Sequence, residues 1–491
     1  MISTLAQAET SKTIELDGSL TLCADGSNTL CSIVPVDLKN INLGIGYIPN
    51  TNSGTNLPQT YLDYFGWQAF VALNWPTDSN GKPSTTQSIL TDVALPRVWA
   101  NYKTKEALYK NQSQLTSVNT RKSDERLSEI CGATPNKPVL HRTSKATLHL
   151  DNFTEAFTPY PLIDQQGNFV LYDVRINDVD AEYILKNKLN TLIGQKSFKG
   201  KYNFPAGEGN KVGAIELKTS WRILNDEKDL NDYFSMDASI AVSAKYTESG
   251  KDMCIDAKVG LVGMHIMQKV TNPSNIAQFW VWASFEHKAN APLADDAVVS
   301  ALNASAVPTL TPPSCKRTKV PTDKNHYSFY SNSCTDGGAD CKENSPPSMA
   351  TGDKTFKWAN SPPYAKKYLQ DGQYGTQVIR CFDIYDSAST ISEQYNKALV
   401  GSVWNNYTLI GVQWAEASNT GSGPLTKLKP FAAPVFMTNT TLETYVQTGS
   451  LLPNKSGTGF APGSCITCHN LATDVTGKAS NFSFLPGDIK K

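Results

Sequence analysis

The sequence predicts an α+β protein, a large β-rich body with antiparallel strands and short helices, followed by a C-terminal segment of different character. The apolar stretches 212–224, 255–292 and 374–415 are rich in β-branched and aromatic residues and bounded by turn-forming residues, as strands are. Of the 491 residues, 18% are charged and 10% are aromatic, which is typical of a globular chain and excludes a disordered one.

The N-terminal residues 1–8 are a candidate signal-peptide remnant. Ala6-Gln7-Ala8 resembles a cleavage site, although neither a basic region nor a full apolar region precedes it. The β-rich body follows over 9–304. Within it, Cys23 and Cys31 flank a turn-rich loop, so we expect a local disulfide there.

Helices are expected at three places in the body. The apolar and aromatic run from Tyr64 to Pro76 predicts a short buried helix with Trp67 and Phe70 directed inward, either as core or as one wall of a ligand pocket. Residues 85–130 also have a helical pattern, and 180–189 predicts a further helix.

Strands are expected after the turn at 166–168, over 212–224 and as a hairpin within 255–292. The first arm of this hairpin places apolar residues and an imidazole on one predicted face, namely Val259, Leu261, Gly263, His265 and Met267. The second arm is aromatic, with Trp280 and Trp282 on one side and Phe279 and Phe285 on the other.

Residues 305–363 form a Cys/Pro-rich insertion, and 364–448 complete the body. Cys315, Cys334 and Cys341 lie in the insertion, with Cys381 as a candidate fourth partner. Cys131 and Cys254 could form a long-range pair. The pattern leaves the connectivity of these cysteines open. Near the end of the body, Thr440 is expected to cap a helix, with Glu443 at capping-box distance.

The C-terminal segment, 449–491, contains the sequence Cys465-Ile466-Thr467-Cys468-His469. This C-x-x-C-H spacing is the attachment signature of a c-type haem, in which both thiols bond to the vinyl groups and the histidine binds the iron. The alternatives are a Cys465–Cys468 disulfide and half of a zinc site. We expect one covalent haem c, held by Cys465, Cys468 and His469 as proximal ligand.

The distal iron ligand must come from upstream, because no methionine follows His469. His265 is the first candidate, since an imidazole in an apolar strand is costly to bury without a partner. His287 and Met437 are weaker candidates, and Met264 and Met267 weaker again. A water-bound or open site is the remaining alternative, for which Arg222 and Arg380 could supply a distal guanidinium.

Charge and cysteine content limit the partners and the compartment. Lys+Arg and Asp+Glu are both 45, which gives no support for a nucleic-acid partner. No apolar run of about 18 residues predicts a transmembrane span. The 10 cysteines include eight beyond the haem motif, an even number that favours disulfides and hence a periplasmic or extracellular location.

Several phrases of the sequence resemble a family of exported bacterial proteins known as "cytochrome c family protein". They are Trp67 to Pro76, Pro161 to Gln165, Trp280 to His287, Asn439 to Tyr445, and Ser464 to His469. The resemblance implies a single C-terminal haem on a large body. The Cys-rich stretch 315–341 is not part of it.

Three functions are compatible with these patterns. A monohaem c-type cytochrome would transfer electrons with a redox partner protein or with a small-molecule donor or acceptor. A haem enzyme of the peroxidase or oxygenase kind would need an open distal site. A secreted surface or assembly protein would use the haem structurally, which the size of the body favours. Phosphate-binding, dinucleotide and common hydrolase motifs are not found.

Overall fold

A computed structural model describes most of the chain. The described residues are 22–37, 59–91, 95–110, 130–132, 137–140, 160–271, 278–299, 314–317, 326–334, 341–346, 356–365, 375–416, 436–447 and 465–488. The candidate signal-peptide remnant at 1–8 and the stretch 449–464 before the haem motif lie outside them.

Ten strands and six α-helices occur in the described part of the chain. The strands are β1 (Lys103–Thr104), β2 (Val139–Leu140), β3 (Leu171–Ile176), β4 (Ile215–Ile223), β5 (Ser235–Val242), β6 (Met253–Thr271), β7 (Gln278–His287), β8 (Leu293–Val299), β9 (Arg380–Asp383) and β10 (Tyr407–Glu416). The helices are α1 (Gln59–Leu73), α2 (Lys105–Lys110), α3 (Asp178–Lys186), α4 (Leu192–Ser197), α5 (Asp386–Ala398) and α6 (Cys465–His469).

Eight strands form one twisted sheet around the long strand β6. One edge of β6 pairs with β4, β4 pairs in turn with β3, and β3 pairs with β1. The other edge pairs first with β5 and then with β7, and β10 pairs beyond β7. All these pairs are antiparallel; β2 on β5 is parallel, as is the separate β8–β9 pair. The predicted β-rich α+β body with antiparallel strands is therefore confirmed, including the β6–β7 hairpin.

A β-bulge in β6 corrects the predicted face of this strand. The pairing with β4 shifts between Ser220–Gly263 and Trp221–Leu261, so that Val262 has no direct partner. An extra residue reverses the alternation. Val259 and Leu261 therefore belong to the same core as Met264 and Ile266, whereas Met267 belongs to a second core on the opposite face. The predicted common face for Val259, Leu261, Gly263, His265 and Met267 was therefore wrong for Val259 and Leu261, whereas His265 and Met267 do lie on one face and line the same cavity.

Helices α1 and α5 cover one face of the sheet. Trp67 of α1 stacks on Tyr395 of α5 at 4.9 Å between ring centroids, and Phe70 stacks on Phe285 of β7 at 4.1 Å. The predicted inward direction of Trp67 and Phe70 is confirmed, and their role is in this core. The opposite face of the sheet is covered by α3 and by the C-terminal segment, with Ile184, Ile466, Phe482 and Leu485 in one cluster.

Two expected helices differ from the structure. Over 85–130, the described residues hold a 3-10 turn at Val98–Asn101, the two-residue strand β1 and the short helix α2, and 92–94 and 111–129 lie outside the description. No α-helix begins at Thr440. The hydroxyl of Thr440 donates to Glu286, while Asn439 accepts from the Thr441 N–H and donates its own N–H to Glu443. Asn439 rather than Thr440 thus binds the backbone of this turn, and the 3-10 helix that follows at Thr444–Val446 has Glu443 at its N-cap.

Four disulfides link the remaining cysteines. Cys23–Cys31 is the expected local pair and Cys131–Cys254 the expected long-range pair. Cys381 pairs with Cys315, and Cys334 with Cys341, which resolves the connectivity that the sequence leaves open. The disulfides are consistent with an oxidising compartment. Among the described residues, no helix is long and apolar enough to cross a membrane.

Candidate functional site

A cavity lies between the sheet and the C-terminal segment. Its apolar lining consists of Val174, Leu217, Met267, Trp282, Met437, Val446, Phe484 and Leu485. Its polar lining consists of Lys105, Glu216, Lys218, His265, Glu443, Cys465, Cys468 and His469. The cavity thus brings together the sequence-predicted residues Cys465, Cys468, His469, His265 and Met437.

Helix α6 presents both thiols of the C-x-x-C-H motif to this cavity. Cys465 and Cys468 are three residues apart on a single turn, so their side chains share one side of it. Both are thiols outside the four disulfides. The backbone N–H of Ile466 donates to Oε1 of Gln413 on β10 at 3.3 Å, which ties the start of α6 to the sheet.

The imidazole of His469 is oriented by the chain that follows it. Its Nδ1 lies 2.7 Å from the carbonyl oxygen of Phe482, and because a carbonyl can only accept, Nδ1 carries the proton. In the neutral ring the lone pair is then on Nε2. Iron- and zinc-binding histidines are commonly held in this way, with the other nitrogen donating to a carbonyl.

The backbone that supplies this carbonyl is strained. Asn481 and Phe482 both have positive φ, 55° and 69°, which is costly for residues other than glycine. Two hydrogen bonds hold the turn: Trp280 Nε1 donates to the Asn481 carbonyl at 2.8 Å, and Lys269 Nζ donates to Asn481 Oδ1 at 2.6 Å. Strain of this kind is often found at functional sites.

His265 lies on β6 and is paired with an acidic residue. Its Nε2 is 3.0 Å from each carboxylate oxygen of Glu443, and both side chains are only 12% exposed. Glu443 is held in turn by the N–H of Asn439 at 3.1 Å. The sequence indicated His265 as an iron ligand but assigned Glu443 only to a helix cap, so the pair was not foreseen.

The three methionine candidates do not all lie on the same face of the sheet. Met437 and Met267 line the cavity. Met264 points into the helix-covered core, where its sulfur accepts from Asn74 Nδ2 at 3.7 Å. The bulge at Val262 does not separate Met264 from Met267; strand alternation does, because they are three residues apart.

His287 is placed in a different buried cluster. Its Nε2 lies 2.9 Å from the carbonyl of Asp232, its Nδ1 accepts from the Ala289 N–H at 3.1 Å, and its ring stacks on Tyr233 at 3.8 Å. Burial lowers the pKa of His287 to about 3. It is not among the residues that line the cavity, and both ring nitrogens are used in hydrogen bonds.

The two arginines named as distal candidates are also used elsewhere. Arg222 pairs with Asp164 and Asp229 at 3.4 and 3.2 Å. Arg380 pairs with Glu286. Neither is among the residues that line the cavity.

Several buried polar groups in the cavity wall were not indicated by the sequence. Burial raises the pKa of Glu216 to about 7, against the opposing effects of a Ser483 hydrogen bond and the charge of Lys105. Glu216 lies on β4 opposite Met267, and Lys218 opposite His265. Their pairing with β6 is long-range information, which local sequence patterns do not contain.

The indole of Trp282 is part of the cavity wall. The Nε1–H of Trp282 is buried and has no hydrogen-bond acceptor among the described residues, and its ring lies 5.7 Å from that of His469. Buried donors of this kind are costly unless a ligand or water pairs with them. Thiols, an oriented imidazole and an apolar cavity with a buried donor together fit a haem.

The described residues contain no group of three or more His, Cys, Asp or Glu side chains suited to holding a bare metal ion. A haem iron needs only one or two protein ligands, because the porphyrin supplies the others. Comparison of the chain with protein-family models, with curated proteins and with solved structures finds no match.

Proposed function

We propose that this protein is a monohaem c-type cytochrome that binds one haem c covalently and transfers electrons in the periplasm or outside the cell. Cys465 and Cys468 would form the two thioether bonds, and His469 would be the proximal iron ligand. One observation supports this most: both thiols, His469, His265 and Met437 line a single cavity. The proposal agrees with the family that the sequence resembles.

When bound, the haem supplies a one-electron couple at its iron. The chain's own residues prepare the site for it. Gln413 holds the start of α6, and the Phe482 carbonyl orients His469. Trp282 and Phe484, whose rings lie 5.7 and 5.0 Å from that of His469, would shield this imidazole from water, which would strengthen electrostatic control of the potential. A redox partner protein or a small molecule would exchange the electron.

The distal ligand in this proposal is His265 or Met437. If Nε2 of His265 were the ligand, the hydrogen bonds between His265 and Glu443 would have to break. Ligation by Met437 would leave them in place. Either would give a six-coordinate iron suited to electron transfer.

A haem enzyme with an open distal position is the second candidate. The observation that favours it is the His265–Glu443 pair, since an imidazole backed by a carboxylate can accept a proton from a bound peroxide and return it. In this case His265 would serve as a proton acceptor and donor and would not be an iron ligand.

Optical spectra of the purified holoprotein, oxidised and reduced, with and without carbon monoxide, distinguish the two. Electron transfer through a six-coordinate haem predicts a low-spin reduced form that ignores carbon monoxide. A high-spin form that binds carbon monoxide would contradict this and support the enzyme. Under the six-coordinate proposal, either His265→Ala or Met437→Leu converts the haem to a form that binds carbon monoxide. If both variants keep the parent spectrum, neither residue is the ligand.

A further inference from the structure

A stretch of the chain that packs against the C-terminal segment is basic. Between Glu182 and Glu208 there is no acidic residue but there are five lysines, in a chain whose 45 basic and 45 acidic residues balance overall. Lys186 is one helical turn from Glu182, at the spacing of an i,i+4 ion pair. The other four lysines are exposed and make up what we call the lysine surface: Lys188, Lys196, Lys199 and Lys201.

The lysine surface is in no ion pair with the described residues. The ion pairs found among them use other cations, namely Lys103, Lys137, Arg175, Arg222, Lys258, His265 and Arg380. Asp474 of the C-terminal segment is buried and accepts a hydrogen bond from Tyr202 at 2.9 Å. The positive charge of the four exposed lysines is therefore presented to solvent.

Helix ends account for only part of this charge. Lys186 and Lys196 lie in the last turns of α3 and α4, where a cation offsets the negative end of the helix dipole. Lys199 and Lys201 lie beyond α4, outside either helix. Lys188 follows α3 with a φ of 56°, in the left-handed region where glycine is preferred, so a lysine is conformationally unfavourable there. Helix formation thus does not explain the lysines at 188, 199 and 201.

The lysine surface lies on the outer side of the chain that forms the cavity wall. Gln195 of α4 is buried: its Nε2 donates to the Pro486 carbonyl at 2.7 Å, and its Oε1 accepts from the Val475 N–H at 3.1 Å. Leu485, which precedes Pro486, lines the cavity. Lys196, directly after Gln195, is exposed. Helix α4 is therefore the element between the lysine surface and this part of the cavity wall.

An exposed apolar side chain lies among these lysines. Ile193 is 80% exposed, the highest value for a large hydrophobic residue in the described part of the chain. It lies three residues before Lys196 on α4, so the two side chains are neighbours on the helix surface. Protein interfaces commonly combine apolar contacts at the centre with polar and charged groups at the rim. The chemistry of this surface therefore fits a protein partner that carries carboxylates around an apolar contact.

We infer that the lysine surface and Ile193 form the docking site of an acidic redox protein, which exchanges one electron with the haem. No atom is transferred: the electron that the haem iron loses is gained by the redox centre of the partner, or the reverse. Opposite charges on the two proteins raise the rate of productive encounter, and salt weakens this attraction. This inference rests on the proposed function and adds the chemical class of the partner.

The test measures electron exchange between the holoprotein and plastocyanin, a small copper protein with an acidic face. Stopped-flow absorbance follows the reaction in its downhill direction. Lys196→Glu combined with Lys199→Glu should lower the second-order rate constant about ten-fold at low ionic strength, and added salt should reduce the difference. The matched control, Lys82→Glu with Lys251→Glu, makes the same charge change at exposed lysines of other loops and should keep the rate constant within about two-fold of the parent value.

Lys188→Gly separates docking from folding. Glycine removes the charge and suits the left-handed backbone at this position. The rate constant with plastocyanin should therefore fall about two-fold, while the denaturant midpoint should not fall. A lower midpoint with an unchanged rate constant would show that Lys188 serves the fold and not the partner, which would contradict the inference.

The remaining outcomes separate this inference from the proposed function. If the parent and the Lys196→Glu, Lys199→Glu variant both carry covalent haem and react equally fast, the docking site is wrong while the proposed function stands. If the control variant slows as much, overall charge and not this surface is responsible, and the inference is again wrong. A parent without haem would refute the proposed function and the inference with it.

An anionic membrane is the other class of partner that such a surface could attract. Cosedimentation with phosphatidylglycerol vesicles tests it on the same variants. If Lys196→Glu with Lys199→Glu abolishes vesicle binding but keeps the parent rate constant with plastocyanin, the lysine surface binds lipid and the inference is wrong. We expect the opposite result, in which the rate constant falls and vesicle binding does not distinguish this variant from the control.

Discussion

The residues around the proposed iron site are fixed by contacts far apart in the sequence. His265 and Glu443 are 178 positions apart, and Glu443 itself is held by Asn439. The sequence predicted the thiols, the proximal His469 and the distal candidates His265 and Met437, because each has a recognisable residue type and setting. It ranked His265 above His287 but could not show which of the two lies at the cavity, since both are in apolar strands and only tertiary packing directs one to it.

The carboxylate of Glu443 should tune the potential of the haem. Glu443→Gln keeps the shape and removes one negative charge, so ferric iron is less stabilised and the midpoint potential rises. For charges about 10 Å apart at an effective dielectric constant of about 20, the change is roughly 1–2 kcal/mol. Redox titration measures it, with Glu208→Gln, at an exposed position, as control. An unchanged potential in Glu443→Gln would count against a haem in this cavity.

The buried carboxyl of Asp63 on α1 should make the free energy of unfolding depend on pH. It accepts hydrogen bonds from Tyr385, Ser387 and Gln59, yet burial raises its pKa from 3.8 to about 7. The folded state therefore retains a proton that the unfolded state loses, and stability falls as pH rises from about 4 to 7. The loss from this group is at most roughly 4 kcal/mol.

Urea unfolding of Asp63→Asn at a series of pH values measures this contribution. Between pH 4 and 7, the free energy of unfolding of the variant should fall much less than that of the parent. Part of the fall should remain, because the pKa of Glu216 is also raised. Asp232→Asn, at an exposed position, should retain the parent profile. A profile for Asp63→Asn that matches the parent would show that Asp63 is not buried as described.

At the scale of elements, the sequence patterns indicated β3, β4, β6, β7, β9 and β10, but they missed β5, β8 and a bulge in β6. Strands β4, β6, β7 and β10 lie where the patterns indicated. The bulge at Val262 could not be predicted, because it depends on pairing with β4 and not on local composition. The helix expected at Thr440 failed for a similar reason: Glu286, which is distant in sequence and paired with Arg380, binds this turn.

The contact between α1 and the sheet is close enough to require a glycine. A Cβ added at Gly66 would lie 2.8 Å from Cγ2 of Val412 and 3.2 Å from Cβ of Ala283. We expect Gly66→Ala to lower the free energy of unfolding by about 1–3 kcal/mol through overpacking. Val412→Ala in the same chain removes the closest atom, so the double variant should recover part of the loss relative to Val412→Ala alone. Denaturant unfolding of the three variants gives the coupling, and strict additivity would contradict this packing.

For the whole molecule, the sequence predicted the β-rich body, the two disulfides Cys23–Cys31 and Cys131–Cys254, and the haem motif. It could not predict that the C-terminal segment covers one face of the sheet. That arrangement depends on single contacts such as Gln195 Nε2 to the Pro486 carbonyl at 2.7 Å and Tyr202 to Asp474 at 2.9 Å. The large body is therefore part of the site, because its sheet forms the wall of the cavity opposite α6.

Covalent attachment of haem at Cys465 and Cys468 is the central claim, and the intact mass of the purified protein tests it most directly. Produced with the c-type haem attachment machinery, the parent should gain the mass of one haem, retained under denaturing acid conditions. Cys465→Ser with Cys468→Ser should lose it while the four disulfides remain. A parent protein with no added mass and with two alkylatable thiols at Cys465 and Cys468 would contradict the account.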